Sequence, residues 1–200
     1  ADVFARRINA SGVAQWTSDG VAVCTAANWQ RLPALVSDGT GGAIITWSDF
    51  RDGANYGVYA RRVDSAGVAQ WTADGVALDT DTGYEEQPAI TTDGSGGAIV
   101  TWRSDVAGPG ITDIYAQRLN SSGSAQWNVG GVLACAAIDH QSQPQIVSDG
   151  TGGAIVTWQD VRDGFFLEDD IYAQRLDASG GAQWTPNGVA LCTAAGAGTL

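Results

Sequence analysis

Apolar and polar positions along this chain fall into short runs, and no window of useful length carries helical spacing. In the unit that begins near Arg31, Pro33 to Val36 is an apolar stretch opened by a proline, which a strand tolerates at its first residue. Asp38-Gly39-Thr40-Gly41-Gly42 then supplies a turn, because glycine permits positive φ and aspartate bonds its own downstream backbone. Ala43-Ile44-Ile45-Thr46-Trp47 is β-branched and nearly continuous in its apolar character, as a strand covered on both faces would be. After a charged loop from Ser48 to about Asn55, the stretch Gly57 to Val63 alternates, with Tyr59, Arg61 and Val63 on one side. Asp64-Ser65-Ala66-Gly67 makes a hairpin turn, and a fourth strand is expected through Ala69-Gln70-Trp71. A second apolar patch, Val76-Ala77-Leu78, leads out toward the next unit.

The whole pattern returns about every 55 residues. Trp16, Trp71, Trp127 and Trp184 each end an A-Q-W motif, while Trp47, Trp102 and Trp158 each end G-G-A-I-[IV]-T-W. Fixed self-similarity on this scale marks a repeat architecture whose single units cannot bury their own apolar faces. Four antiparallel strands joined by hairpins, with tryptophan in the second and fourth, describe a propeller blade, and a solenoid of stacked β units is the competing arrangement. The expected fold is all-β, a β-propeller of four-stranded antiparallel blades. Its divisions are a half blade plus connection at 1–30 and blades at 31–85, 86–141 and 142–200. The chain opens at Asp2-Val3-Phe4-Ala5-Arg6, which matches the third strand of the repeat, so about three and a half units are present. Bare strand edges template β-pairing, which leads us to expect a homo-oligomer, either a ring or a fibre of identical chains.

The run G-G-A-I-V-T-W, then D-I-Y-A-Q-R-L-D-x-S-G, then A-Q-W resembles the β-propeller repeats of bacterial secreted and cell-surface proteins, over essentially all 200 residues. That resemblance implies export and a β-propeller and assigns no chemistry. The absence of Met and the start at Ala1-Asp2 fit a mature product or a fragment.

Charge narrows the partners. A formal net charge of −12, with 22 carboxylates against 10 arginines and no lysine, disfavours nucleic acid and anionic lipid. No apolar run is long enough to span a bilayer as a helix. Cys24, Cys135 and Cys192 occupy equivalent places and Asp79 fills the fourth. Equivalent positions in neighbouring units lie too far apart for a disulfide, so these read as small buried thiols, with an intermolecular bridge as the alternative.

Candidate chemistry is sparse. Asp49-Phe50-Arg51-Asp52 and Asp160-Val161-Arg162-Asp163 recur in the loop after the second strand, where an arginine flanked by carboxylates suits a sugar hydroxyl, a substrate carboxylate or an internal salt bridge. Trp29 stands alone between the first two units and is a candidate ligand contact. Asp79, Asp81, Glu85 and Glu86 place oxygens as a calcium loop does, though without an EF-hand frame. His140, the sole histidine, sits in an irregular linking segment, and no metalloprotease, C-x-x-C or phosphate-loop motif is present. Asn9 and Asn120 begin glycosylation sequons in hairpin turns that favour Asn for backbone reasons. The reading that follows is a non-enzymatic secreted or surface scaffold. A glycan-binding propeller is the alternative and a glycoside-directed hydrolase a distant one.

Overall fold

Strand follows strand in the order that the alternation dictates. The structure is a computed structural model that describes residues 1–79, 83–105, 111–162 and 169–193. A two-stranded sheet pairs β1 (Val3–Ala5) with β2 (Val21–Cys24). Three antiparallel four-stranded sheets follow. The second contains β3 (Gln30–Ser37), β4 (Ala43–Asp49), β5 (Gly57–Val63) and β6 (Val76–Ala77). The third contains β7 (Glu85–Thr92), β8 (Ala98–Ser104), β9 (Asp113–Leu119) and β10 (Val132–Cys135). The fourth contains β11 (Gln141–Ser148), β12 (Ala154–Asp160), β13 (Asp170–Leu176) and β14 (Val189–Cys192). No helix of the described residues is long and apolar enough to cross a membrane.

The middle strands carry the core. Trp47, Trp102 and Trp158 pair in register with Tyr59, Tyr115 and Tyr172 and stack on them at 6.4, 6.2 and 6.5 Å between ring centroids. Such pairs add about 0.5–1.5 kcal/mol each beyond the burial of their area. Within the D-G-x-G-G turns the aspartate does what the sequence suggests. Asp38 Oδ1 accepts the backbone N–H groups of Thr40 and Gly42 at 2.8 Å, while Oδ2 receives Arg62 Nε at 2.9 Å. Gly42 is required for lack of room, since a Cβ there would lie 2.2 Å from the Val63 carbonyl oxygen.

Two sequence expectations change. The A-Q-W segment is not the fourth strand: Ala69 makes only an isolated bridge to Val63, and the apolar patch at Val76–Ala77 pairs with β5 instead. The tryptophan is drawn away by the neighbouring sheet. The indole N–H groups of Trp16, Trp71 and Trp127 donate to the carbonyls of Ser65, Ser121 and Ala178 at 3.1, 3.0 and 3.1 Å. Each ring lies flat over Gly67, Gly123 or Gly180, where a Cβ would come within 2.6 to 2.9 Å of the indole. Each tryptophan therefore latches one sheet to the next.

The first strand of the unit also begins earlier than Pro33. Gln30 and Arg31 already pair with Asp49 and Ser48, and the register then slips before Ala34. Leu32, Gln87 and Gln143, each preceding a proline, hold φ of 53°, 55° and 50° at these bulges. The bulges of the three first strands line a common cavity of about 330 Å³.

Candidate functional site

The loop from β4 to β5 meets the starts of β3 and β7, where the Phe50 N–H donates to the Trp29 carbonyl and the Glu85 N–H to the Tyr56 carbonyl. The Asp49–Arg51 pair lies here, and its first role is structural. Asp49 has a fully buried side chain whose Oδ2 accepts Trp47 Nε1 and an Arg51 guanidinium N–H, both at 2.7 Å. Burial alone would raise the Asp49 carboxyl, yet the hydrogen bonds from Arg51 and Trp47 and the Arg51 charge hold it below the ordinary carboxylate range. Arg51 also donates to the Asp74 carbonyl at 2.7 Å and lies over the Tyr59 ring at 3.7 Å. Asp160 and Arg162 repeat this arrangement in the fourth sheet, with Arg162 over Tyr172 at 3.6 Å. Asp163 lies outside the described residues.

Beside Arg51 the second sheet opens a pocket of about 200 Å³ lined by Arg51, Asp52, Asn55, Tyr56, Tyr59 and Asp79, among others. Gly57 helps to keep it open. The register places Asp113 and Asp170 at the matching position of the third and fourth sheets, and a Cβ at Gly57 would already stand 3.2 Å from Tyr59. The pocket is polar and mixed in sign. Asp52 holds the loop by accepting the Ala54 and Asn55 N–H groups on Oδ1 at 2.9 and 3.1 Å. Arg51 Nε is buried and has no hydrogen-bond partner among the described residues.

An aromatic row crosses this end of the molecule. Trp29 stacks on Phe50 at 6.1 Å and 25°, Phe50 lies 4.8 Å from Tyr56, and Tyr56 lies 6.1 Å from Tyr84. Arg31 caps Tyr56 at 3.9 Å from the ring centroid. The two ends are open to solvent, Trp29 at 62% and Tyr84 at 42% exposure. Trp29 is thus joined to the Asp49–Asp52 loop, its carbonyl accepting the Phe50 N–H at 2.8 Å and Asn28 Nδ2 donating to the Arg51 carbonyl at 3.2 Å. It is also not the isolated residue that the sequence suggests. Trp29, Tyr84 and His140 each stand immediately before the first strand of a sheet, so each unit presents one ring there. The signal was the buried residue that follows each of them, Gln30, Glu85 or Gln141. No sequence motif marks Tyr56 or Tyr84 as part of a site, and Tyr59 stands out only in the alternation of its strand.

The described acidic residues of the 79–86 stretch have separate partners. Asp79 accepts the Val58 N–H at 3.0 Å, and Glu85 is buried, bonded to Ser104 at 2.8 Å and pushed up to about 8 by burial and then by the Asp79 charge. Glu86 points elsewhere, pairing with Arg31 and with Arg103. Asp81 lies outside the described residues, and among those residues no group of three or more His, Cys, Asp or Glu side chains is placed to hold a metal ion. His140 sits against Thr112 at 3.4 Å.

No protein-family model matches the chain, and no curated protein matches it. Among solved structures it is similar to the endo-arabinase from Bacteroides thetaiotaomicron VPI-5482, at a TM-score of 0.52 and 17% sequence identity. The alignment covers 85% of this chain, which spans 66% of the arabinase chain. At that identity the likeness shows an all-β arrangement of antiparallel sheets and nothing about activity.

Proposed function

We propose that this chain is a non-enzymatic, extracellular or surface-exposed β-propeller module that holds carbohydrate at the end of the sheets where the aromatic row runs. The observation that carries the reading is the row itself, with Trp29 and Tyr84 exposed at its ends and Tyr56, between them, lining a polar pocket of about 200 Å³. Sugars present apolar C–H faces and a rim of hydroxyls, so exposed rings beside fixed donors and acceptors complement both features. Asn55 supplies a donor, and Asp52 supplies an acceptor. A hydrolytic role would need two carboxylates free to exchange protons with the substrate. Of the three carboxylates that line this pocket, Asp49 is paired with Arg51, Asp79 accepts the Val58 N–H and Asp52 holds its own loop, an arrangement that favours binding over turnover.

Soluble polysaccharides, arabinan among them, test this by affinity electrophoresis and calorimetry. Saturable binding is expected, weakened by about tenfold in Trp29→Ala and in Tyr84→Ala, each change costing roughly 1.4 kcal/mol. Both side chains are exposed, so the fold survives their removal. Arg51→Ala is a poor probe because it strips a buried carboxylate of its partner. Binding unaffected by either aromatic substitution would remove the site, and release of reducing sugar would overturn the non-enzymatic reading.

A further inference from the structure

The first sheet is half a sheet, and the space beside it has a defined shape. β1 pairs with β2 on one edge, and among the described residues its other edge pairs with no strand. In the three complete sheets the strand at the β1 position is β5, β9 or β13, and its second edge is always paired in full with β4, β8 or β12. Where that partner would lie, there is a groove of about 550 Å³ whose walls include Phe4, Ala5, Ile8, Pro33, Leu35 and Ile45.

The facing sheet records the same gap. β4 packs on β7, and β8 packs on β11, so the second strand of each sheet covers the first strand of the next. Ile90 in β7 and Ile146 in β11 are accordingly half-buried against the core. Leu35 holds the same position in β3 and is 68% exposed, with Phe4 at 55% and Ile8 at 62% across the groove. Exposed apolar surface beside an unpaired strand edge is a seat for β-strand addition.

We infer that this groove receives the inner β-hairpin of a further unit of the same repeat, two strands joined by a D-G-x-G-G turn and ending in A-I-V-T-W. The internal repeats specify this occupant. Its second strand pairs with β1 as β4 pairs with β5, and its apolar side chains cover Leu35 as those of β4 and β8 cover Ile90 and Ile146. A second copy of these residues is a poor donor, because each of its inner hairpins is already paired within its own sheet.

A fluorescent synthetic peptide with the sequence of residues 141–160, titrated into the full chain, tests the assignment. Saturable one-to-one binding is expected, accompanied by a rise in Tm and absent for a scrambled peptide of the same composition. The double variant Phe4→Asp/Leu35→Asp, changed only at exposed positions, is expected to bind about tenfold more weakly or worse. Equal binding of the scrambled peptide, no binding to the unmodified chain, or binding indifferent to the double variant would each overturn the inference. So would a dimer of the chain alone, seen by light scattering, that the double variant dissolves and the peptide does not, since the occupant would then be a second copy. Carbohydrate binding is read separately in each variant, and its loss or retention leaves this result unaffected.

Discussion

The joint between the third and fourth sheets and the joint between the second and third use the same positions with opposite chemistry. In the former, Cys135 approaches Asp160 at 3.9 Å, Arg162 donates to the Cys135 sulfur at 3.5 Å, and Arg162 Nε reaches Asp160 at 2.9 Å, with Gln141 beginning the adjacent strand. The joint of the first and second sheets repeats this with Cys24, Asp49, Arg51 and Gln30. In the remaining joint Asp79 replaces the cysteine, Ser104 the aspartate and Glu85 the glutamine, and the sequence carries Val106 where the arginine belongs. Asp160 is held below the usual carboxylate range despite its burial, by hydrogen bonds from Arg162 and Trp158 and by the Arg162 charge. Glu85, with no such cation, is pushed up to about 8. A joint of this shape accepts a buried ion pair or a buried proton, and the second option ties its stability to pH.

Removing the cation should break the comparison most severely. Arg162→Ala leaves the Asp160 carboxylate, fully buried at its side chain, without its guanidinium. A loss of about 3 kcal/mol is expected from urea unfolding at pH 7. A loss under about 1 kcal/mol would class the pair with ordinary surface ion pairs. The parent chain should draw stability from Asp160 above the ordinary carboxylate pKa and lose it as pH falls through the depressed one, and the variant should lack that component.

Glu85→Gln should move in the other direction. It installs the residue that Gln30 and Gln141 already supply at matching positions. Folded Glu85 keeps its proton up to about 8, whereas the unfolded side chain releases it near 4.5, so stability drains away as pH rises between those values. The substitution should raise Tm by a few degrees at pH 8, leave it unchanged at pH 4 and flatten the slope between. A slope that persists in the variant would place its origin elsewhere.

The smallest effect concerns thiol reactivity in the native state. Burial pushes Cys24 up to about 11 and Cys135 up to about 12, whereas Cys192 is exposed. One fast thiol and two that react only on unfolding are expected with a disulfide reagent. Three fast thiols would mean that the cysteine joints open freely.

Much of the architecture was legible because the repeat displays its own periodicity. The span Gly57 to Val63, the buried run that ends in Trp47 and the half unit at Val3 all emerge from alternation and register. The fourth strand was misplaced because Trp71 looks like a strand residue, when its partner, the Gly123 turn, lies in another sheet. Local pattern cannot report a contact made across units. The same limit hid the site: Trp29, Phe50, Tyr56 and Tyr84 are scattered over 56 residues and meet only because two sheets stand side by side. Asp49 and Arg51 were visible for the reason that makes them structural, namely that they recur.

Every indole latch points the same way, from the hairpin of one sheet onto the bare glycine of the next. At the extremes of the described array Trp184 remains 37% exposed and Gly12 meets nothing within 4 Å. A chain shortened or lengthened by whole units would still set an indole against a glycine at every junction, so this wedge places no limit on the number of units, whereas the buried joint beneath it would change wherever Ser104 came to face Cys24.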